Sequence, residues 1–499
     1  YFIDAVINQV VDDLVTEKSY TETQAYNLLY SGGLTINVTQ DADIQAICDN
    51  EVANVGDYLN GDTEYGLDYA LTIHRADGSS ENYSKEQLAS YIQTAWGYDT
   101  PLLYGSEEAA QEAVDAFKST LNIDEAGGDT VDERIELSPQ PQTSVVVMDQ
   151  YTGQVKAIVG GRGEKNSSLS LNRATDSARQ PGSCFKILAA YAPALNEGKI
   201  TLATTIDDEE YEYKNGQSVK YIGPTRVRYG IEHSMNVLAV KTLTDYVGET
   251  ESYDYLLDFG FTTLTEDDKY SQAKALGGIT NGVYNIEMTA AYAAIANGGT
   301  YMKPILYTQV LDHEGNVLLD NTTPEKHEVL KDSTAYLLTS AMEDVVNGAG
   351  GTGGSARLSN MPVAAKTGTS QESRDLWISA FTPYYTASVW GGYDDNSELS
   401  STRYPKLIWK AVMSRVHENL EYKDFTMPSG ITSAVVCKKS GKLAVEGLCD
   451  CDPRGSMVET EYFATGTVPT EVCDHHVSAT ICTSSGMLAN EYCPEETKQ

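Results

Sequence analysis

Two hairpin-type patterns bracket a long stretch of helical periodicity, and this arrangement restricts the fold more than any other feature of the chain. Ser144 to Met148 and Gln154 to Val159 are short apolar runs joined by a turn at Asp149 to Gly153. Ile378 to Thr382 and Thr386 to Trp390 form a second pair of strand-like runs far down the chain. Between the two pairs, apolar residues recur at helical spacing over 183–197, 234–247, 286–297 and 333–346. Strands flanking a helical block indicate an α+β domain.

The flanks carry their own signals. Residues 1–30 read as helical, Ser31-Gly32-Gly33 breaks them, and a strand over Leu34 to Val38 and a helix from Ala42 to Val55 follow. From Gly56 to about Glu133 the chain turns acidic and tyrosine-rich, with a strand at Tyr69 to His74, a turn at Asp77-Gly78-Ser79, and helices near Lys85 to Thr94 and Glu107 to Leu121. Gly127-Gly128-Asp129 and Pro139-Gln140-Pro141 punctuate its end, which places a boundary near 135. The expected organisation is a linker over 1–55, a small acidic inserted subdomain over 56–135, a main domain over 136–428, and a cysteine-rich, loop-rich module over 429–499. A length of 499 residues suits about three domains.

Charge and composition exclude several partners. Lys and Arg total 35 against 72 Asp and Glu, a net charge of -37 that repels nucleic-acid backbones and anionic headgroups. The longest apolar runs, Ile187 to Leu195 and Thr143 to Met148, fall short of the roughly 18 residues of a membrane span. Tyr1 opens on a helix already in mid-course, so a signal or anchor is expected outside this chain. Six of eight cysteines (Cys437, Cys449, Cys451, Cys473, Cys482 and Cys493) crowd the tail at the density of a disulfide scaffold. Cys449, Cys451, Cys473, His475 and His476 are alternative zinc ligands, but no C-x2-C knuckle is present, so disulfides and an oxidising, extracytoplasmic setting are preferred. No metal site and no cofactor are expected.

Candidate chemistry begins at Ser183-Cys184-Phe185-Lys186, directly after Gln180-Pro181-Gly182. On a helix, an i, i+3 pair shares one face. A lysine with a lowered pKa can take the serine proton, and the helix N-terminus offers backbone N–H groups to an oxyanion. The spacing alone is weak, since Ser271-Gln272-Ala273-Lys274 repeats it. Ser-x-Asn occurs at Ser80, Ser170 and Ser234, and Lys-Ser/Thr-Gly at Lys366 and Lys439. Order adds the weight: Ser183, Ser234-Met235-Asn236 and Lys366-Thr367-Gly368 follow one another with intervals of 51 and 132 residues.

With these segments in that order, the chain resembles the transpeptidase domain of penicillin-binding proteins. Arg179 to Lys186 is similar to the family's nucleophile segment, Ala364-Ala365-Lys366-Thr367-Gly368-Thr369-Ser370 to its third motif, and Ser234-Met235-Asn236 fills the middle place. Ala275 to Gly278, Ala290 to Gly299, Asp375-Leu376-Trp377 and Trp390 to Asp394 extend the likeness over roughly 140 to 395. Tyr1 to Gln45 resembles the linker after the glycosyltransferase domain of class A, bifunctional members, a domain expected to be missing here. Gly466 to His475 resembles class A tails.

The resemblance implies a serine β-lactamase/transpeptidase-like fold, an antiparallel sheet with a helical subdomain. It implies Ser183 as acylated nucleophile, Lys186 as its base, Ser234 as proton relay, and Asn236 as hydrogen-bond donor to the substrate peptide. Lys366, Thr367 and Thr369 would meet the substrate carboxylate, Gly368 would let the substrate backbone approach, and the N–H groups of Ser183 and Thr369 would form the oxyanion hole. Implied partners are peptidoglycan stem peptides ending in D-Ala-D-Ala, β-lactams, and other cell-wall synthesis proteins. The implied activity is DD-transpeptidation by a membrane-anchored enzyme. A DD-carboxypeptidase, a β-lactamase-type hydrolase and a non-catalytic β-lactam sensor are the alternatives, and no Glu-x-x-Leu-Asn run supports the lactamase. Departures such as Ile187, Ile378 and Ala380 alter pocket shape without removing a reactive group.

Overall fold

A computed structural model describes residues 1–59, 63–97, 102–210 and 221–494. Its centre is a five-stranded antiparallel sheet built from β1 (Gln142–Met148), β2 (Val155–Val159), β3 (Ala364–Thr369), β4 (Asp375–Phe381) and β5 (Thr386–Gly392), in the order β3-β4-β5-β1-β2. The two hairpin patterns therefore meet side by side, with Val147 opposite Ala387 and Val145 opposite Val389. Every residue of β1, β4 and β5 is buried, which explains why these strands read as continuous runs without polar alternation.

Burial on both faces requires a cover on each. On one face lies α1 (Asn285–Ala296), within a core that includes Phe185, Leu188, Leu238, Tyr292 and Trp390. The other face is closed by Ile44, Val52, Tyr404, Ile408 and Trp409, the last three from a helix at Tyr404–Val416 that the sequence reading did not anticipate. We call that helix α3, and α2 (Asp332–Asn347) lies along β3. Between β2 and β3 the chain makes its helical excursion, leaving at one edge of the sheet and returning at the other.

The N-terminal stretch is two helices, Phe2–Lys18 and Glu22–Ser31, because Ser19 takes a left-handed conformation and Thr21 with Gln24 closes a capping box. Within residues 64–97 and 102–140 lies a second sheet whose long strand Glu64–His74 pairs with Thr130–Gln140, over a core of Leu67, Tyr69, Leu71, Ile73, Leu88, Ile92, Val114 and Phe117. Position 135, expected as a boundary, lies within that pairing opposite Tyr69. The Gly127-Gly128 signal marks the turn into the strand, and the polar outer face of Thr130 to Leu137 hid the strand itself.

The tail is more regular than a loop-rich appendage. β6 (Ile431–Cys437) and β7 (Val458–Ala464) form an antiparallel hairpin. Cys48, Cys184, Cys437, Cys449, Cys451, Cys473 and Cys493 carry free thiols in this structure, so the disulfides expected among the tail cysteines are not formed there. Cysteine density cannot distinguish thiols that bridge from thiols that converge without bonding.

Candidate active site

The chain enters the site through a clamped segment. Arg179 exchanges backbone hydrogen bonds with Val283, and the Gln180 side chain donates to the Ile279 carbonyl at 2.6 Å and accepts from the Ile279 N–H at 3.1 Å. The Arg179 guanidinium lies 4.7 Å above the Trp390 ring, whose Nε1 donates to Asp375. Gly182 has φ +53°, and a Cβ there would meet the Thr369 backbone at 2.6 Å. Glycine is thus required both for the turn and for the approach to β3. Gly368 receives the same segment from the other side, where a Cβ would lie 2.4 Å from the Pro181 carbonyl oxygen.

Ser183 emerges in the short 3-10 turn Gly182–Cys184, half-buried, and Lys186 opens the π-helical turn that follows. Among the described residues the Ser183 hydroxyl takes no hydrogen bond. Lys186 is fully buried, and its Nζ reaches the Ser234 carbonyl oxygen and Asn236 Oδ1, each at 2.5 Å, and Ser234 Oγ at 3.3 Å. Burial, aided by the charge of Lys366, pushes the Lys186 ammonium well below the ordinary lysine range. The lowered pKa favours the neutral amine, and in that form two N–H donors serve the Ser234 carbonyl and Asn236 Oδ1 while one lone pair remains to accept a proton.

Lys366 comes from β3 and is also fully buried. Its Nζ donates to Ser234 Oγ at 2.8 Å and to the Thr367 carbonyl at 3.0 Å, and burial lowers its pKa to about 8. Ser234 therefore sits between two lysines, accepting from Lys366 and able to donate its own proton to Lys186. It does so at φ +54°, a left-handed conformation that costs a non-glycine residue of order 1 kcal/mol or more. Asn236, next along, begins a short helix at Asn236–Lys241.

Two hollows meet at Ser183. The smaller, of about 260 Å³, is lined by Ser234, Thr352, Thr367, Thr369, Trp377 and Lys406 among others. Thr352 and Thr367 share a hydroxyl hydrogen bond of 2.7 Å there. The larger, of about 1010 Å³, runs past Asn236 and carries the exposed carboxylates of Asp267, Glu372 and Glu398. All eight residues singled out by sequence order thus converge: Ser183, Lys186, Ser234, Asn236, Lys366, Thr367, Gly368 and Thr369. Thr352 and Lys406 were missed, because no motif distinguishes them and only the packing of α3 brings Lys406 to the pocket.

The competing motifs resolve into structure. Ser271 caps the 3-10 turn Gln272–Leu276, and Lys274 Nζ donates to the carbonyls of Asp268, Lys269 and Ser271. Cys184 is buried, with its thiol pushed up to about 11 by desolvation, and it donates to the Lys366 carbonyl at 3.4 Å. Such a thiol is inert. The His233 ring stacks on Tyr229 at 3.8 Å.

This geometry has relatives. The family model described as penicillin binding protein transpeptidase domain matches residues 143–390, and that of the penicillin-binding protein 1A C-terminal domain matches residues 427–478. Penicillin-binding protein 1A of Clostridium botulinum (strain Hall) is 32% identical over 514 residues, covering 99% of this chain and 52% of the relative. The chain spans about half the length of the curated relatives it matches. The crystal structure of penicillin-binding protein 1A from Haemophilus influenzae superposes with a TM-score of 0.62 at 19% identity, over 93% of this chain and 77% of that one. PonA1 from Mycobacterium tuberculosis, in complex with penicillin V, gives 0.59 at 20% identity, over 85% and 96%. Both share the fold.

Proposed function

The chain belongs to the penicillin-binding protein family and carries its transpeptidase domain, and from that premise we propose that it is a peptidoglycan DD-transpeptidase working through an acyl-serine. The observation that carries this reading is one hydroxyl, Ser234 Oγ, held 2.8 Å from Lys366 Nζ and 3.3 Å from Lys186 Nζ, beside the free hydroxyl of Ser183.

In this reading the neutral Lys186 accepts the Ser183 proton as Oγ attacks the carbonyl of the penultimate D-alanine. The negative charge that develops is met by the N–H groups of Ser183 and Thr369, since β3 edges the site at Gly182. The proton then passes from Lys186 through Ser234 to the departing D-alanine amine, and Lys366 keeps the relay hydroxyl oriented. An acceptor amine attacks the ester and sheds its proton by the same route in reverse.

The two hollows suit two substrates. The small one, with Lys406, Thr352, Thr367 and Thr369, offers cationic and hydroxyl groups to the terminal carboxylate of the donor peptide, while Asn236, on the larger hollow, would meet its amide. The large one, with Asp267, Glu372 and Glu398, favours the approach of a cationic amine. β-Lactams, which carry the same carboxylate beside a reactive carbonyl, would enter on the donor side; PonA1, which shares the fold, is known in complex with penicillin V.

Stem peptides lie outside the cytoplasm, so the working site is extracytoplasmic, with a membrane anchor and any cell-wall synthesis partner outside this chain. Among the described residues no helix is long and apolar enough to cross a membrane. The expected segments 1–55, 56–135, 136–428 and 429–499 become, in the proposed organisation, 1–55, 56–140, 141–428 and 429–499, because the strand Thr130–Gln140 pairs with Glu64–His74. Turnover tests the reading: a D-Ala-D-Ala stem-peptide mimic offered with an amine acceptor should yield D-alanine and the cross-linked amide. Release of D-alanine with hydrolysis alone would favour a carboxypeptidase, and no release at all would favour a sensor.

A further inference from the structure

We propose that Cys437, Cys449, Cys473 and His476 form a structural zinc site that holds the tail hairpin together. This replaces both the disulfide expectation and the expectation of no metal. Three thiol sulfurs and one imidazole nitrogen lie within 4.8 Å of one another, and the three cysteines are buried. His476 Nδ1 is 3.4 Å from Cys437 Sγ and 3.4 Å from Cys473 Sγ. Zinc bonds of about 2.3 Å to sulfur and about 2.0 Å to nitrogen in a tetrahedron place the ligand atoms roughly 3.5 to 3.8 Å apart, which matches this spacing.

The surroundings are those of thiolate ligands. The Lys439 N–H points at Cys437 Sγ at 3.4 Å, and the Val445 N–H at Cys449 Sγ at 3.3 Å. Amide donors aimed at sulfur favour the anionic form a metal requires. His476 Nε2 lies 2.9 Å from Asp452 Oδ2, a buried carboxylate, which fixes the imidazole with Nδ1 facing the sulfurs. Three sulfurs, one nitrogen and no oxygen select zinc over calcium or magnesium, and four protein ligands leave no open position for chemistry. Of the ligands suggested by sequence, Cys451 is exposed and His475 lies outside the cluster, while Cys437 joins it from the end of β6.

The tail needs such a tie. The thiols have only partly buried Ala444, Val445, Met457 and Val458 packed against them, too little apolar surface to order this end of the hairpin. Zinc displaces the thiol protons on binding and links the end of β6, the turn before β7 and the segment after it. The turn that starts at Cys437 also seats on the main domain: Gly441 has φ +70°, and a Cβ there would lie 2.1 Å from the Ala203 carbonyl oxygen. Lys439-Ser440-Gly441, the second match to the third motif, is thus this turn and not a catalytic strand.

The test uses the full chain, purified under reduction without metal-affinity steps, stripped with chelator and titrated with Zn²⁺ or Co²⁺. Elemental analysis should find one zinc per chain, and Co²⁺ should give the intense thiolate-to-cobalt charge-transfer absorption of a tetrahedral site. Cys449→Ser and His476→Ala should weaken zinc binding about tenfold or more, while Cys451→Ser and His475→Ala should keep one equivalent. The wild-type cobalt spectrum decides the matter even where a variant fails to fold. Zinc content below about a tenth per chain, a cobalt spectrum without thiolate bands, equal loss in Cys451→Ser, or a disulfide among the three cysteines in the native protein would overturn the proposal.

Discussion

Arg228 and Glu461, 233 positions apart, form a buried bidentate pair in which Nε and Nη2 of the guanidinium donate to the carboxylate at 2.7 to 3.0 Å. Glu461 lies on β7 of the tail and is fully buried. Arg228 belongs to the short helix Val227–Glu232 just before Ser234, and it also reaches Asp344 and Ser340 on α2. The pair therefore joins the tail to the element that precedes Ser234, the proposed relay.

Removing Glu461 leaves the Arg228 charge with Asp344 as its remaining carboxylate partner. Glu461→Ala should therefore destabilise the protein by about 3 kcal/mol, the lower end for breaking a buried ion pair. It should also slow acylation by loosening the approach to Ser234. Denaturant unfolding and acylation kinetics, measured on the same variant, check both effects.

Lys186→Ala should slow acylation by about 10²-fold to 10⁴-fold or more, the usual contribution of a general base. Lys274→Ala, at the competing Ser271 motif, should leave the acylation rate near wild type, because Lys274 Nζ is spent on three backbone carbonyls. Stopped-flow acylation by a chromogenic β-lactam distinguishes the two.

The pH response follows from Lys366. With its pKa near 8 it is charged below that value and neutral above it. Acylation by carboxylate-bearing ligands should therefore hold up to about pH 8 and fall beyond, while an uncharged ester substrate should lose less. Folding stability moves the other way. Between about pH 8 and the ordinary lysine pKa of 10.5 the unfolded chain binds more protons, so the contribution of Lys366 to stability rises with pH. Rate profiles for the two ligand types and unfolding at several pH values separate these effects.

Gly182→Ala should cost more than a simple backbone preference. Its Cβ would collide with the Thr369 backbone, which carries one of the two proposed oxyanion donors. The variant should lose acylation rate by at least about 10²-fold, the cost typical of a misplaced oxyanion donor. Gly198, also at positive φ but with open space around it, is the control: Gly198→Ala should lose about 1 kcal/mol of stability to backbone strain yet acylate at the wild-type rate.

How much of this was legible in the sequence depended on what each residue reports. Ser144 to Met148 and Thr386 to Trp390 are buried on both faces, so their apolar runs announced strands and the α+β class. Ser183, Ser234 and Lys366 were weak singly and informative in order, because each motif has decoys elsewhere in the chain. Ala364 to Thr369 has little strand propensity of its own, and only resemblance suggested a strand there. Tyr404 to Val416 carries charges amid its apolar face, and Thr352 reaches the site through a glycine-rich loop, so neither left a readable pattern. The tail misled for a different reason: Cys437, Cys449 and Cys473 lie far apart in sequence, and hairpin pairing, which sequence spacing does not encode, brings them together.

Ser183, which shares a hollow with Ser234, is the proposed site of acylation, with Lys186, Ser234 and Lys366 as its proposed proton path. Intact-mass analysis after exposure to penicillin, with peptide mapping of the adduct, decides this. One covalent adduct per chain, located on Ser183, abolished in Ser183→Ala and lasting minutes or longer, is the expected result. An adduct on Ser271, labelling that persists in Ser183→Ala, or release within seconds with catalytic consumption of penicillin would contradict it.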